Sequence, residues 1–219
     1  MVPVFNREGF VVEAVTSALE QSWTPLEVVV VDDGSTDATP EVLERFGSTI
    51  HVLRQPNRGV AAARNSGIAA SQGELVVHLD SDDVLPPESV RLRVEALLED
   101  PGLHAATGHV EQFLDPGMEE ALRERFACPS DPLPGVTMGA LLVRRSFMHE
   151  VGLVDESFRN AADMDWLMRA QEAGMRMRIL PDVVLLRRIH GANLGVTSGE
   201  AAKARLRVLK AGLDRRREG

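Results

Sequence analysis

Apolar residues along this chain follow two periods that alternate. Nearly continuous runs of Leu and Val at 26–31 and 74–79 predict strands of a covered sheet, which need no polar side for water, and 50–53 predicts a third short strand. Between them, Val11, Val15, Ala18 and Leu19 recur at helical spacing and predict an amphipathic helix over 8–21. After the turn Gly34-Ser35-Thr36-Asp37 the chain enters another helix, and an Ala-rich segment ending near 70 predicts a further one. Val90, Val94, Leu97 and Leu98 mark the face of the next. Strand-then-helix alternation over the first hundred residues predicts βαβ units and a mainly parallel sheet. The opening Met1-Val2-Pro3-Val4 reads as the tail of a buried strand ending near Phe5. Either that strand is unusually short, or the sequence starts inside a longer one.

Periodicity is weaker in the second half. A strand is expected over 104–111, and then 112–135 carries four prolines, scattered acids and no lasting period, which predicts an irregular excursion. Further elements are expected at 138–143 (strand), 146–151 (helix) and 163–173 (helix, with Met164, Leu167, Met168 and Gln171 inward). Gly174 is placed to end that last helix, a strand is expected over 179–187, and 199–217 predicts a basic helix.

Composition narrows the class. At 219 residues, with 44% hydrophobic and 26% charged, the chain is long enough for one domain with a real core. A net charge of -9 argues against broad nucleic-acid binding, where a basic field is needed. No apolar run is long enough to cross a bilayer and no signal-peptide pattern opens the chain, so a cytoplasmic location is expected. Cys128 has no partner for a disulfide and no metal or redox spacing.

The candidate chemistry lies at strand ends. In an open α/β sheet, ligands bind beyond the carboxyl ends of the strands. Three polar turns fall there: Phe5-Asn6-Arg7-Glu8, Asp32-Asp33-Gly34-Ser35 and Asp80-Ser81-Asp82-Asp83. Alternate side chains of an extended segment share a face, so Asp80 and Asp82 can reach one ligand. A divalent cation carrying a diphosphate suits such hard oxygen ligands. The same acids could instead cap the turn and helix that Pro86 and Pro87 open. No G-x-G-x-x-G follows the first strand, and neither a Walker loop nor a G-x-S-x-G elbow is present, which disfavours dinucleotide enzymes, P-loop NTPases and serine hydrolases.

With Val2-Pro3-Val4-Phe5-Asn6, Val31-Asp32-Asp33-Gly34-Ser35-Thr36-Asp37, Asn57-Arg58-Gly59, Ala63-Arg64-Asn65, Leu79-Asp80-Ser81-Asp82-Asp83 and Asp163-Met164-Asp165-Trp166-Leu167, the chain resembles a family 2 glycosyltransferase. The resemblance implies an α/β GT-A fold, a Rossmann-like single domain over 1–219 with a mainly parallel mixed sheet between helices. Residues 1–111 would form the nucleotide-sugar and metal half, 112–198 the acceptor half and 199–219 the basic helix. It further implies inverting, metal-dependent transfer of a hexose-type sugar from a UDP- or dTDP-sugar to an acceptor hydroxyl. Pro3, Val4 and Glu8 would border the nucleobase, Asp33 would accept from its imide, and Arg64 and Asn65 would line the same pocket. Asp80 would touch ribose or sugar, Asp82 would ligate Mn²⁺ or Mg²⁺, and Asp163 would be the catalytic base in a single displacement. His190 falls where relatives carry a histidine on a loop closing over the donor, and could be a further metal ligand or touch the diphosphate. Trp166 could stack on a sugar ring or belong to the core.

The family's usual Glu-Asp pair is Ala162-Asp163 here, so a carboxylate that often engages the acceptor is missing. The acceptor stays open among a small molecule, a polysaccharide, a lipid carrier and a protein. Lys203, Arg205, Arg207, Lys210 and Arg215 to Arg217 could lean on an anionic membrane or form a solvated face. Two other functions are weighed: a nucleotide-sugar-binding accessory protein without turnover, and a nucleotidyltransferase, for which Phe5-Asn6-Arg7-Glu8-Gly9 is a weak triphosphate loop.

Overall fold

The structure, a computed structural model, describes residues 1–126, 128–158, 161–191 and 199–218. Strands β1 (Val2–Val4), β2 (Val29–Asp32) and β3 (His51–Arg54) form a parallel sheet in that order. The unbroken valines of β2 have the burial expected of a covered strand. Val28 and Val30 pack in one core with Val11, Ala14 and Val15 of α1 (Val11–Leu19), while Val29 and Val31 pack on Ala63 of α3 (Val60–Ala70). Between β2 and β3 runs α2 (Thr39–Glu44).

A second sheet holds β4 (Leu75–Val77), β7 (Leu142–Arg144), β5 (Ala105–Leu114) and β6 (Leu133–Pro134) in antiparallel contact, with β8 (Met177–Ile189) parallel to β5. Backbone bonds join the two sheets: Met1 N donates to Val77 O (2.7 Å) and Leu79 N donates to Met1 O (3.0 Å). The polar ends of β1, β2 and β4 therefore lie side by side. The remaining helices are α4 (Ser89–Glu99), α5 (Glu120–Arg123), α6 (Arg145–Val151), α7 (Ala162–Glu172) and α8 (Gly199–Glu218).

Several expected elements move. The strand expected at 26–31 begins at Val29, after a cis Thr24-Pro25 bond, and Leu26 is exposed. The strand expected at 138–143 is a tight helical turn at Met138–Ala140 followed by β7. The carbonyl that ends this turn, Ala140 O, accepts from Arg93 Nη1 (2.8 Å) and Thr107 Oγ1 (3.2 Å), interior donors that a ladder would have excluded. Burial lowers the pKa of Arg93 to about 9. Strand β5 continues to Leu114 because β8 pairs with it throughout, so the irregular stretch starts later than 112.

The buried face of α7 is Ala162, Asp165, Trp166 and Ala170, and of the expected Met164, Leu167, Met168 and Gln171 line Leu167 packs partly buried against the same core. A second helix explains the shift: α8 packs on α7, with Gly212 against Met168, so the methionine faces another helix instead of the sheet. Leu19 and Leu98, both expected inside, are exposed.

Candidate active site

The loop after β1 is built by short polar side chains of the loop after β2. Asn6 takes a positive φ of 51°, a conformation Asn tolerates better than most residues. Its Oδ1 accepts from Thr36 N (2.8 Å), its own N donates to Ser35 Oγ (3.0 Å), and Arg7 N donates to Thr39 Oγ1 (2.9 Å). Glu8 accepts from Ala38 N (2.7 Å) through its carboxylate, close to the start of α2. Pro3 and Val4 are buried in β1, where Val4 O accepts from Asp33 N (2.9 Å).

At the end of β2 the two acids do different work. Asp32 accepts from Ser35 N (2.8 Å) and lies 3.4 Å from Arg54 Nε, so it caps the turn. Asp33 anchors the loop leading into α3: it accepts from Gln55 Nε2 (2.7 Å), Arg58 N (3.0 Å) and Gly59 N (2.7 Å).

The segment after β4 supplies the charge. Asp80 and Asp82 take different neighbours. Arg64, on α3, is buried at 4% side-chain exposure and bridges two carboxylates of separate elements: Nη2 donates to Asp80 Oδ1 (2.9 Å), and Nη1 is 3.8 Å from Asp163 Oδ1 at the start of α7. Burial disfavours the guanidinium charge, but Asp80 and Asp163 outweigh it and leave its pKa raised. Both carboxylates are nearly half exposed, so each keeps an open side. Asp82 Oδ2 sits 3.0 Å from His190 Nε2 and 3.5 Å from Arg7 Nε. His190 stacks on Phe10 with ring centroids 4.7 Å apart, which fixes the imidazole.

Behind this pair, Asp83 Oδ1 accepts from Arg188 N (2.9 Å), and burial followed by the charges of Asp80 and Asp82 pushes its carboxyl well above the usual range. Arg188 donates through Nε to Asp82 O (3.0 Å), pairs with Glu13, and lies over Phe113 at 4.7 Å. The end of β8 is thereby clamped to the Asp80–Asp83 turn.

Trp166 and Asn65 have other partners. Trp166 is fully buried and its Nε1 donates to Gly152 O (2.9 Å), so it offers no face to a sugar. Asn65 grips the chain before α7, exchanging bonds with Val154 N (3.0 Å) and Val154 O (2.9 Å). Of the loop expected to close over a donor, His190 is described, while Ala192 and Asn193 lie outside the described residues. Arg7, which the glycosyltransferase motifs left without a role, lies 3.5 Å from the Asp82 carboxylate. Its signal was a basic residue three positions past the end of β1, a strand that abuts the acid-ended β2.

Residues 1–151 match Glycosyl transferase family 2. The chain belongs to this family. Among curated relatives of this glycosyl transferase are a chondroitin synthase of Pasteurella multocida, 28% identical over 92% of this chain and 22% of its own length, and a hyaluronan synthase of the same species, 28% identical over 89% and 21%. The chain thus spans about a fifth of the length of these relatives. Crystal structures of Staphylococcus aureus TarS 1–349 share the fold: the UDP complex aligns with TM-score 0.72 at 20% identity, covering 97% of this chain and 64% of that one. The UDP-GlcNAc complex gives 0.72 at 19% identity, over 94% and 64%. The family 2 chain therefore has the GT-A fold that its motifs implied.

Proposed function

We propose that this chain transfers a hexose-type sugar from a UDP- or dTDP-sugar to an acceptor hydroxyl, with inversion in a single displacement. The observation that carries the reading is the reach of Arg64, whose one buried guanidinium meets both Asp80 on the donor side and Asp163 at the start of α7. A base must stand close to the donor sugar yet apart from its leaving group, and Asp163 shares Arg64 with Asp80, whereas Asp82 pairs with His190. Asp163 would take the acceptor proton as the hydroxyl attacks, and the half-exposed side of its carboxylate is where that hydroxyl would sit. TarS structures holding UDP and UDP-GlcNAc, and relatives named chondroitin synthase and hyaluronan synthase, support a nucleotide-sugar donor.

A divalent metal fits the donor set at Asp82, because a carboxylate oxygen and an imidazole nitrogen already converge within 3.0 Å. Among the described residues no third His, Cys, Asp or Glu joins them, so phosphate oxygens and water would have to complete the shell of a Mn²⁺ or Mg²⁺ ion. When bound, that ion would neutralise the charge gathering on the departing diphosphate. Arg7 beside Asp82 would add a fixed positive charge to the same region.

Calorimetric titration with UDP, dTDP, GDP and ADP, each with and without Mn²⁺, tests the donor site. Manganese-dependent binding of UDP or dTDP that is lost in Asp82→Ala is expected, and absence of binding by all four would overturn the reading. Release of UDP from a UDP-sugar in the presence of an accepting hydroxyl should fall at least about a hundredfold in Asp163→Asn. Unchanged release in that variant would leave a donor-binding protein without Asp163 chemistry.

A further inference from the structure

Helix α8 has two sides with different chemistry. Val208 (0% exposed), Gly212 and Arg215 follow one another at spacings of four and three and face α7. Arg215 donates to Asp165 Oδ1 (3.1 Å) and Glu172 Oε2 (3.0 Å), and a side chain at Gly212 would run into Met168. The opposite side is apolar along its centre. Leu206, Leu209 and Leu213 are 66%, 43% and 55% exposed, and at roughly 3.6 residues per turn they fall within an arc of about 60°. Exposed Lys203, Lys210 and Arg217 share that arc or its margin, and Arg205 and Arg207 flank it. Asp214, half-buried, is the one acid among the described α8 side chains from 203 on.

We propose that this face of α8 lies on an anionic lipid surface. Leucines along the middle with cations at the margins match a helix seated at a headgroup boundary, the leucines entering the acyl region and the cations meeting lipid phosphates. Charge complementarity selects that occupant. The chain carries -9 overall, yet residues 199–219 hold seven Lys or Arg against three Asp or Glu, so the basic character is concentrated on this helix. A second copy would set like charges against each other across the same leucines. Nucleic acid would leave the leucines without a partner. The described helices include none long and apolar enough to cross a membrane, so the contact is peripheral. The inference is independent of the donor-site reading.

Flotation of the whole chain with vesicles tests it. Binding to phosphatidylcholine vesicles containing roughly 30% phosphatidylglycerol should be at least about tenfold tighter than to phosphatidylcholine alone, and salt near 0.5 M should release it. Leu206→Ser/Leu209→Ser/Leu213→Ser should lose the binding while keeping the wild-type circular dichroism. Lys203→Glu/Lys210→Glu, which touches no leucine, should lose it as well and keeps the test valid if the triple variant unfolds. No flotation, equal flotation on both vesicles, or a dimer in light scattering that the leucine changes dissolve would each overturn the proposal. UDP titration of the same samples is read separately, so a failed donor site is not mistaken for a failed lipid surface.

Discussion

Arg64 is the residue on which the two halves of the site meet, and its burial separates stability from function. Its partners are the exposed members, Asp80 at 42% and Asp163 at 46%, so the ion pairs are screened and worth no more than about 1 kcal/mol each. Arg64→Met should therefore move the free energy of unfolding by less than about 2 kcal/mol in a urea titration. Turnover should suffer far more, about a hundredfold in kcat, because Asp80 and Asp163 lose the group that sets their spacing. Lys in its place cannot donate from two nitrogens and should not restore the rate. A variant that unfolds readily but retains kcat would reverse this argument. His78, beneath the same guanidinium, gives a pH prediction. It is fully buried, and desolvation, then Arg64, hold its pKa well below the ordinary 6.5. As pH falls below about 6.5 the unfolded chain binds this proton first, so stability, full above that value, is lost at up to about 1.4 kcal/mol per pH unit. His78→Leu should flatten that contribution between about pH 5 and 7, and an unchanged slope would assign the pH dependence to other groups.

At the scale of elements, the turn after β2 shows how local chemistry positions the site. Gly34 has φ +80°, and a Cβ there would lie 2.8 Å from Asn57 N in the loop that Asp33 anchors. Gly34→Ala combines left-handed backbone strain with a backbone collision, so about 2–4 kcal/mol of destabilisation is expected from chemical denaturation. A loss under about 0.5 kcal/mol would mean that the 55–59 loop yields freely. This turn was readable in the sequence because Asp-Gly-Ser-Thr after a run of valines has few other uses. The first-half elements were readable for the same reason, β1, β2 and β4 being runs of apolar residues followed by polar turns. The second half was harder because its contacts are not periodic. Helix α7 is covered on two sides, which blurs its stripe, and β5 extends to Leu114 through a partner strand some seventy residues further on. A buried Arg93 that holds Ala140 O has no sequence signature at all.

For the whole molecule, the site is where two sheets join, and that decides what the sequence could disclose about it. The acids at the ends of β2 and β4 were legible because each sits in a contiguous motif. Their division of labour was not: Asp33 clamps a loop, Asp80 meets Arg64, and Asp82 meets His190 across 108 positions of chain. Trp166 stands only about 60° from Asp163 around α7, yet its indole is buried with Nε1 on Gly152 O while the Asp163 carboxylate, in the first turn, is half-exposed. A ligand that spans this junction should bind the folded chain alone and so raise its stability. If the donor reading holds, UDP with Mn²⁺ at about a hundred times its dissociation constant adds about 2.7 kcal/mol, a rise of roughly 5–10 °C in Tm for a chain of this size. Asp82→Ala and His190→Ala should each abolish most of the manganese-dependent part, because the two side chains converge on one position from different sheet ends. An intact shift in His190→Ala with loss in Asp82→Ala would remove the imidazole from the metal site and leave it the role of holding Asp82 in place beside Phe10.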